Sequence, residues 1–342
     1  MQQITKATQN SMQLTTPVIP DTADFKIEHN SKIMLLGSCF AQNIGTRLAA
    51  YKFDVCNNPF GITYNPSSIA TILNRILDGK EFGEESPEIV EHNDKWHSML
   101  HHGCFSQADK DTLLARINNE LATAQEQLSK CDIITITLGT AYVYTRNSDN
   151  LVVNNCHKMP GRAFSRSLLS ISEITCCLGK VMQRIIERRP NIKFIFTVSP
   201  IRHLRDGAHD NQKSKATLLL AIEELKNTFP ANCSYFPAYE IMLDELRDYR
   251  FYADDMVHPS SLAVEYIWEK FACCYISKKS MERCAAIDNI NKGLAHRPFD
   301  EKSDGYKDFI RNILQNIEKV NREEPLLDFK KEIERCNTLL EI

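Results

Sequence analysis

Apolar residues along the chain follow two alternating patterns. Short unbroken runs occur at "KIMLL" (32–36), "DIITITL" (132–138), "KFIFTV" (193–198) and, more briefly, "CSYF" (233–236). "KFDVCNN" (52–58) is a weaker case, closed by Pro59 and Gly61. Runs this short, rich in β-branched residues and stopped by Gly or Pro, read as strands covered on both faces. Between them, apolar residues recur at helical spacing over residues 40–50, 67–77, 111–130, 172–188, 212–227 and 260–275. Ser67, after Pro66, reads as the cap of the second of these helices. Residues 80–110, rich in His and Glu, carry neither pattern and read as loop. Strand alternating with helix in this way predicts a three-layer α/β fold on a parallel sheet.

Past about residue 280 the strand pattern stops. Residues 302–322 and 326–341 read as charged amphipathic helices. Three regions follow: an irregular lead-in over residues 1–30, broken by Pro17 and Pro20; an α/β domain over 31–280; and a helical appendage over 281–342. The chain shows no internal repeat and no low-complexity tract.

Composition narrows the function. The 342 residues are 43 % hydrophobic and 25 % charged, the balance of an ordinary globular protein with material for a sizeable core. A net charge of −3 supplies no basic field, so neither nucleic acid nor a membrane surface is an expected partner. The N-terminus lacks the charged start, apolar run and cleavage site of a signal peptide, and no stretch reaches the roughly 18 apolar residues of a membrane span. The twelve cysteines are scattered, include the vicinal pairs Cys176-Cys177 and Cys273-Cys274, and form no CxxC. They read as reduced thiols of a cytoplasmic protein. No cofactor motif is present and no cofactor is expected; the sequence leaves the oligomeric state open.

Chemistry-bearing residues gather after the strands, where parallel sheets bind ligands. Gly37-Ser38-Cys39 follows the first strand, Gly139-Thr140 the central one, and Ser199-Pro200 with His203 the next; "YADDMVHPSS" sets Asp255 and His258 before a long helix. A nucleophile early and an Asp-x-x-His late can form a triad, in which His takes the proton and Asp fixes its tautomer. Asp254 is out of register for that role. Ser38 and Cys39 both remain open as nucleophile. A thiol at a helix N-terminus meets free N–H groups and the dipole, which stabilise thiolate, whereas a serine there still needs a base. A triad requires His258 within reach of one of them, directly or through one water. His97 and His101 stand four apart with Cys104 nearby, but no Glu follows His97 and the segment reads as loop, so no metal is assigned; cleft lining is the stronger functional reading there. Ser214-Lys215 reads as a solvated helix start.

The chain closely resembles the GSCFA family, whose motif stands at Gly37 to Ala41. "NPFGITYNPSSI" (58–69), "TLGTAYVY" (137–144), "NCHK" (155–158), "VSPIRH" (198–203) and "DDMVHPS" (254–260) also look like that family's blocks. The family is grouped with the SGNH (GDSL-like) hydrolases, flavodoxin-like α/β domains of esterases and acyltransferases. The resemblance implies Asp255 and His258 as orienter and base. Aligned without a gap, it sets Cys39 at the nucleophile's place; shifted by one residue, it restores Ser38. Gly37, Gly61, Gly139, Thr140 and Asn155 become candidate oxyanion donors, and His157 and His203 candidate substrate contacts. The chain departs from the superfamily at its Gly-x-Asn block, which here reads Gly139-Thr140-Ala141 and lacks the asparagine donor. The implied function is hydrolysis or transfer of a small acyl group, on a carbohydrate or polysaccharide precursor; a thiol nucleophile suits a thioester donor. The alternative is a catalytically idle carbohydrate-binding or interaction protein that retains the cleft.

Overall fold

The unbroken apolar runs become the middle of one sheet. A computed structural model describes residues 15–300 and 302–341, so residues 1–14 of the lead-in expected over 1–30 lie outside the described residues. The strands are β1 (Lys32–Gly37), β2 (Asp54–Asn57), β3 (Ile133–Leu138), β4 (Lys193–Val198) and β5 (Cys233–Tyr235). All pair in parallel, in the order β2-β1-β3-β4-β5. This is the flavodoxin-like order, and its direction reverses between β1 and β3.

Alternation along each strand divides the core in two. Met34, Leu36, Ile134, Ile136, Phe194 and Phe196 face a layer made by α2 (Pro66–Asp78), α3 (Lys110–Lys130), α4 (Ile171–Arg188) and α5 (Ala208–Thr228). Ile33, Leu35, Ile133 and Ile195 face α1 (Cys39–Ala50) and α6 (Ser261–Tyr275). Helices on both faces explain why β1, β3 and β4 are nearly continuous apolar runs, their inner polar residues being the buried Thr135, Thr137 and Thr197. The described residues after α6 are helices and connections: α7 (Lys278–Ala295), α8 (Asp304–Glu323) and α9 (Lys330–Glu341). The fold is therefore α/β with a C-terminal helical extension. α7 runs through the expected join at 280/281, with Cys284 in the α1–α6 core and Ile287, Ile290 and Leu294 packed on α8 and α9.

Several local expectations are corrected. Residues 80–110 are not all loop: Ile89–His92 and Lys95–Ser98 form a hairpin turned by Asn93-Asp94, both left-handed. A second antiparallel unit, Tyr142–Arg146 with Val152–Val153 and Phe164–Leu168, follows β3. Asn65, not Ser67, caps α2: its Oδ1 accepts from the Ser68 N–H at 2.8 Å, and Pro66 occupies the first turn.

Candidate active site

The carboxyl ends of β1, β3 and β4 meet under a strap formed by residues 58–65. Gly37 ends β1 at φ 139°, where a β-carbon would run into the carbonyl of Thr137, so only glycine closes this turn. The strap is fastened by Gly37 N–H donating to Asn58 Oδ1 (2.8 Å), Thr63 N–H to the Gly37 carbonyl (3.0 Å), and the Gly139 and Thr140 N–H groups to the Tyr64 carbonyl (2.8 and 3.1 Å).

Ser38 and Cys39 part company at this turn. Ser38 is 1 % exposed; its Oγ accepts from the Phe40 N–H as the cap of α1 and donates to Ser199 Oγ at 3.1 Å. Cys39, the first residue of α1, is half-buried and carries no disulfide. The expected low-pKa thiol is corrected here. Burial pushes the Cys39 thiol up, and the N–H groups of Cys39 and Phe40 with the charge of Lys215 only partly pull it back. At this spot desolvation outweighs the helix terminus.

The Asp255–His258 pair is formed. Asp255 Oδ1 accepts from the Val257 and His258 N–H groups at 2.9 Å each, and Oδ2 accepts from the His258 ring Nδ1 at 2.5 Å. Those bonds hold the Asp255 carboxyl down at about 2. With Nδ1 committed to a carboxylate, Nε2 is the nitrogen left to take a proton. Both side chains are about half exposed (52 % and 51 %), and no hydrogen bond joins His258 to Ser38 or Cys39 among the described residues. Asp254 is exposed and outside the pair.

His203 lies deeper. Its ring meets the edge of Tyr64 at 5.6 Å, and its Nε2 sits 3.3 Å from where a Gly139 β-carbon would be. Nε2 is buried without a partner. Burial, then the charges of Lys215, Arg166 and His258, bring His203 down to about 4, so it is neutral near pH 7. The end of α6 lies beside the lead into β1, where the Ile27 N–H donates to the Tyr275 carbonyl (2.6 Å), so the Asp255–His258 pair, just before the start of α6, lies toward the carboxyl ends of the strands.

Other expected site residues serve the fold. Gly61 N–H donates to the Asn58 carbonyl (2.7 Å), which with the strap bonds leaves the N–H groups of Gly37, Gly61, Gly139 and Thr140 already engaged. They are not oxyanion donors as they stand. Asn155 donates its N–H to the Met99 carbonyl and accepts from the His157 N–H; His157 Nε2 binds the Ser98 carbonyl at 2.8 Å, its ring stacked on His97 at 4.5 Å. His97 is buried in the hairpin and His101 just after it, stacked on Phe60, rather than lining a cleft, and no cluster of three or more metal-ligating side chains occurs among the described residues.

The reading of Ser214-Lys215 as solvated is also corrected. Ser214 Oγ accepts from the Ala141 N–H (2.8 Å) and pairs with Thr140 Oγ1 (3.0 Å). Lys215, 1 % exposed, donates to the carbonyls of Gly139 (2.7 Å) and Ser199 (2.9 Å). Its signal was in the sequence: Asn211, Ser214, Lys215, Leu218, Ala221, Ile222 and Leu225 form one buried stripe along α5. Tyr64 was missed as well; its hydroxyl has no hydrogen-bond partner among the described residues, and burial and the Cys39 charge push it up, so it stays a donor.

A parallel sheet in this order, with a thiol heading the first helix and an Asp–His pair at the same edge, defines the class to which the sequence comparisons also point. The chain matches the GSCFA family over residues 32–271 and the C-terminal domain of GSCFA domain proteins over 287–342. It belongs to the GSCFA family. No curated protein matches it. Among solved structures it is similar to a carbohydrate esterase family 2 enzyme with a carbohydrate binding domain from Corynascus thermopiles (Myceliophthora fergusii), at 17 % identity and a TM-score of 0.27. That likeness covers 46 % of this chain and 38 % of the other, so the chain spans well under half of that structure. No helix among the described residues is long and apolar enough to cross a membrane.

Proposed function

We propose that the protein is an acyl-ester hydrolase or acyltransferase that moves a small acyl group, on a carbohydrate or polysaccharide precursor, with Cys39 as nucleophile. The observation that carries this reading is the Asp255–His258 pair, bonded at 2.5 Å, at the sheet edge where Cys39 heads α1. His258 Nε2 takes the proton of the Cys39 thiol, and sulfur adds to the ester carbonyl. The carbonyl electron pair becomes an oxyanion. On collapse the alkoxide leaves and takes the proton back from imidazolium, leaving a thioester on Cys39. Water, or the hydroxyl of an acceptor sugar, then gives a proton to His258 and attacks the thioester; the thiolate departs and is reprotonated.

The oxyanion would rest on the Cys39 N–H, which as the first residue of a helix has no intrahelical acceptor, and on the Tyr64 hydroxyl. These donors stand in for the asparagine missing at Ala141. A panel of p-nitrophenyl acyl esters, assayed with and without sugar acceptors, tests the reading. Wild type should turn over short acyl esters, and Cys39→Ala should lose on the order of 10³-fold or more in kcat/KM. If no ester is turned over under either condition, the acyl reading fails and a carbohydrate-binding role takes its place.

A further inference from the structure

We propose that Tyr64 and His203 form the wall that ends the acyl pocket, and that this wall limits the protein to acyl groups of about acetyl size. The inference rests on the acyl reading of the site and adds the two residues that set which acyl groups enter.

Gly139 shows how close the wall stands. It does not lie in the left-handed region, so its backbone does not call for glycine. Space does. A β-carbon there would stand 3.2 Å from the Tyr64 ring, 3.3 Å from the Tyr64 β-carbon and 3.3 Å from His203 Nε2. The two rings meet edge to face at 83°, with centroids 5.6 Å apart. They close over the end of β3, where a side chain would otherwise stand.

Both rings are anchored. The Tyr64 carbonyl accepts from the Gly139 and Thr140 N–H groups, and the His203 N–H donates at 2.9 Å to Oδ1 of Asn211, itself buried. Lys215 braces the floor beneath them through the carbonyls of Gly139 and Ser199. The His203 ring makes no hydrogen bond among the described residues, and its Nε2 is buried without a partner. Its contribution here is shape.

Backbone bonds tie the wall to Cys39. The carbonyl of Gly37, at the turn into Cys39, accepts from the Thr63 N–H at 3.0 Å, and the next residue, Tyr64, bonds to Gly139. Tyr64 thus bridges the end of β1 and the end of β3. When an ester sits on Cys39, its alkoxide has to lie against His258, the half-exposed group that returns its proton. The acyl chain takes the opposite, buried side, over the end of β3, and meets the Tyr64–His203 pair. A longer chain has to displace two anchored rings, and each methylene that a pocket cannot hold costs about tenfold or more in discrimination.

The test compares p-nitrophenyl acetate, butyrate and hexanoate. Wild type should favour acetate over hexanoate in kcat/KM by about 10²-fold or more. His203→Ala removes one side of the wall, and that ratio should fall about tenfold or more. Gly139→Ala pushes both rings away from β3 into the space the chain uses, and the ratio should rise. A wild type that prefers hexanoate, or a folded His203→Ala protein with an unchanged ratio, overturns the wall and leaves the acyl chemistry standing. If His203→Ala does not fold, Gly139→Ala decides: a raised ratio supports the wall and an unchanged one overturns it. If no ester is turned over, the acyl reading has failed, and the wall is read without a substrate. Cys39 is then alkylated at about pH 9 with iodoacetamide or N-hexyl iodoacetamide, and each rate is taken relative to the exposed Cys104 by peptide mass spectrometry. The hexyl reagent should lag at Cys39 in wild type and catch up in His203→Ala. No lag in wild type, or the same lag in both proteins, overturns the proposal.

Discussion

At the scale of single residues, neighbouring side chains are given opposite work by one turn. Ser38 turns inward to cap α1 and meet Ser199, while Cys39 stays half-buried at the helix start. Asp255 offers a cleaner test of a single group. Its carboxylate accepts three bonds, two from backbone N–H groups that an amide oxygen could still receive. The third fixes His258 with its proton on Nδ1. Asp255→Asn should keep the turn but favour the wrong tautomer. Ester turnover should fall on the order of 10²- to 10⁴-fold, with little change in melting temperature because the group is exposed. A loss smaller than about tenfold would remove the pair from the reaction. The pair was legible in the sequence because three residues of spacing settle its local geometry. Lys215 continues the buried stripe of α5, but a lysine early in a helix ordinarily reaches solvent, so in the sequence the stripe reads as ending at Leu218; the seat of α5 beneath the strand ends buries it.

At the scale of elements, legibility followed burial. β1, β3 and β4 are covered on both faces, so their sequences are unbroken apolar runs that nothing else imitates. The hairpin over 89–98 has one open face and four-residue strands, and its charged positions hid it; the Asn93-Asp94 turn, left-handed at both residues, was the available sign. The cap of α1 belongs to this scale too. Ser38→Ala removes the bond to the Phe40 N–H and the one to Ser199, which together should cost about 1–2 kcal/mol. The expected result is a melting temperature several degrees lower and ester turnover reduced far less than by Cys39→Ala. A Ser38→Ala protein with an unchanged melting temperature and no turnover would instead make the serine the nucleophile.

At the scale of the whole molecule, the helical extension is bound to the α/β layers by charge as well as by apolar contact. Lys52, in the left-handed turn after α1, pairs with Glu332 at 2.6 Å and lies over the Phe329 ring, and Asn291 reaches the Ala50 carbonyl. We propose that the two parts unfold together, so one pH profile describes the chain. Three histidines shape its acid limb. Burial holds His101 at about 3 and His157 and His203 at about 4, against an ordinary value of 6.5. All three are neutral in the fold and free to protonate once it opens. Below about pH 6.5 the unfolded chain therefore binds more protons, so stability falls as pH drops; the penalty is complete near pH 4 for His157 and His203 and near pH 3 for His101. Each is worth on the order of a few kcal/mol, enough together to remove much of a typical domain's stability. Urea midpoints at pH 7, 5.5 and 4 should fall steeply in wild type. His101 is the most deeply held, stacked on Phe60 at 4.2 Å with its Nε2 buried and unpartnered. His101→Phe keeps the ring and removes the titration, so its stability should fall less between pH 6.5 and 4 than that of wild type. Equal slopes in the two proteins would mean that the His101 ring is not held neutral by the fold.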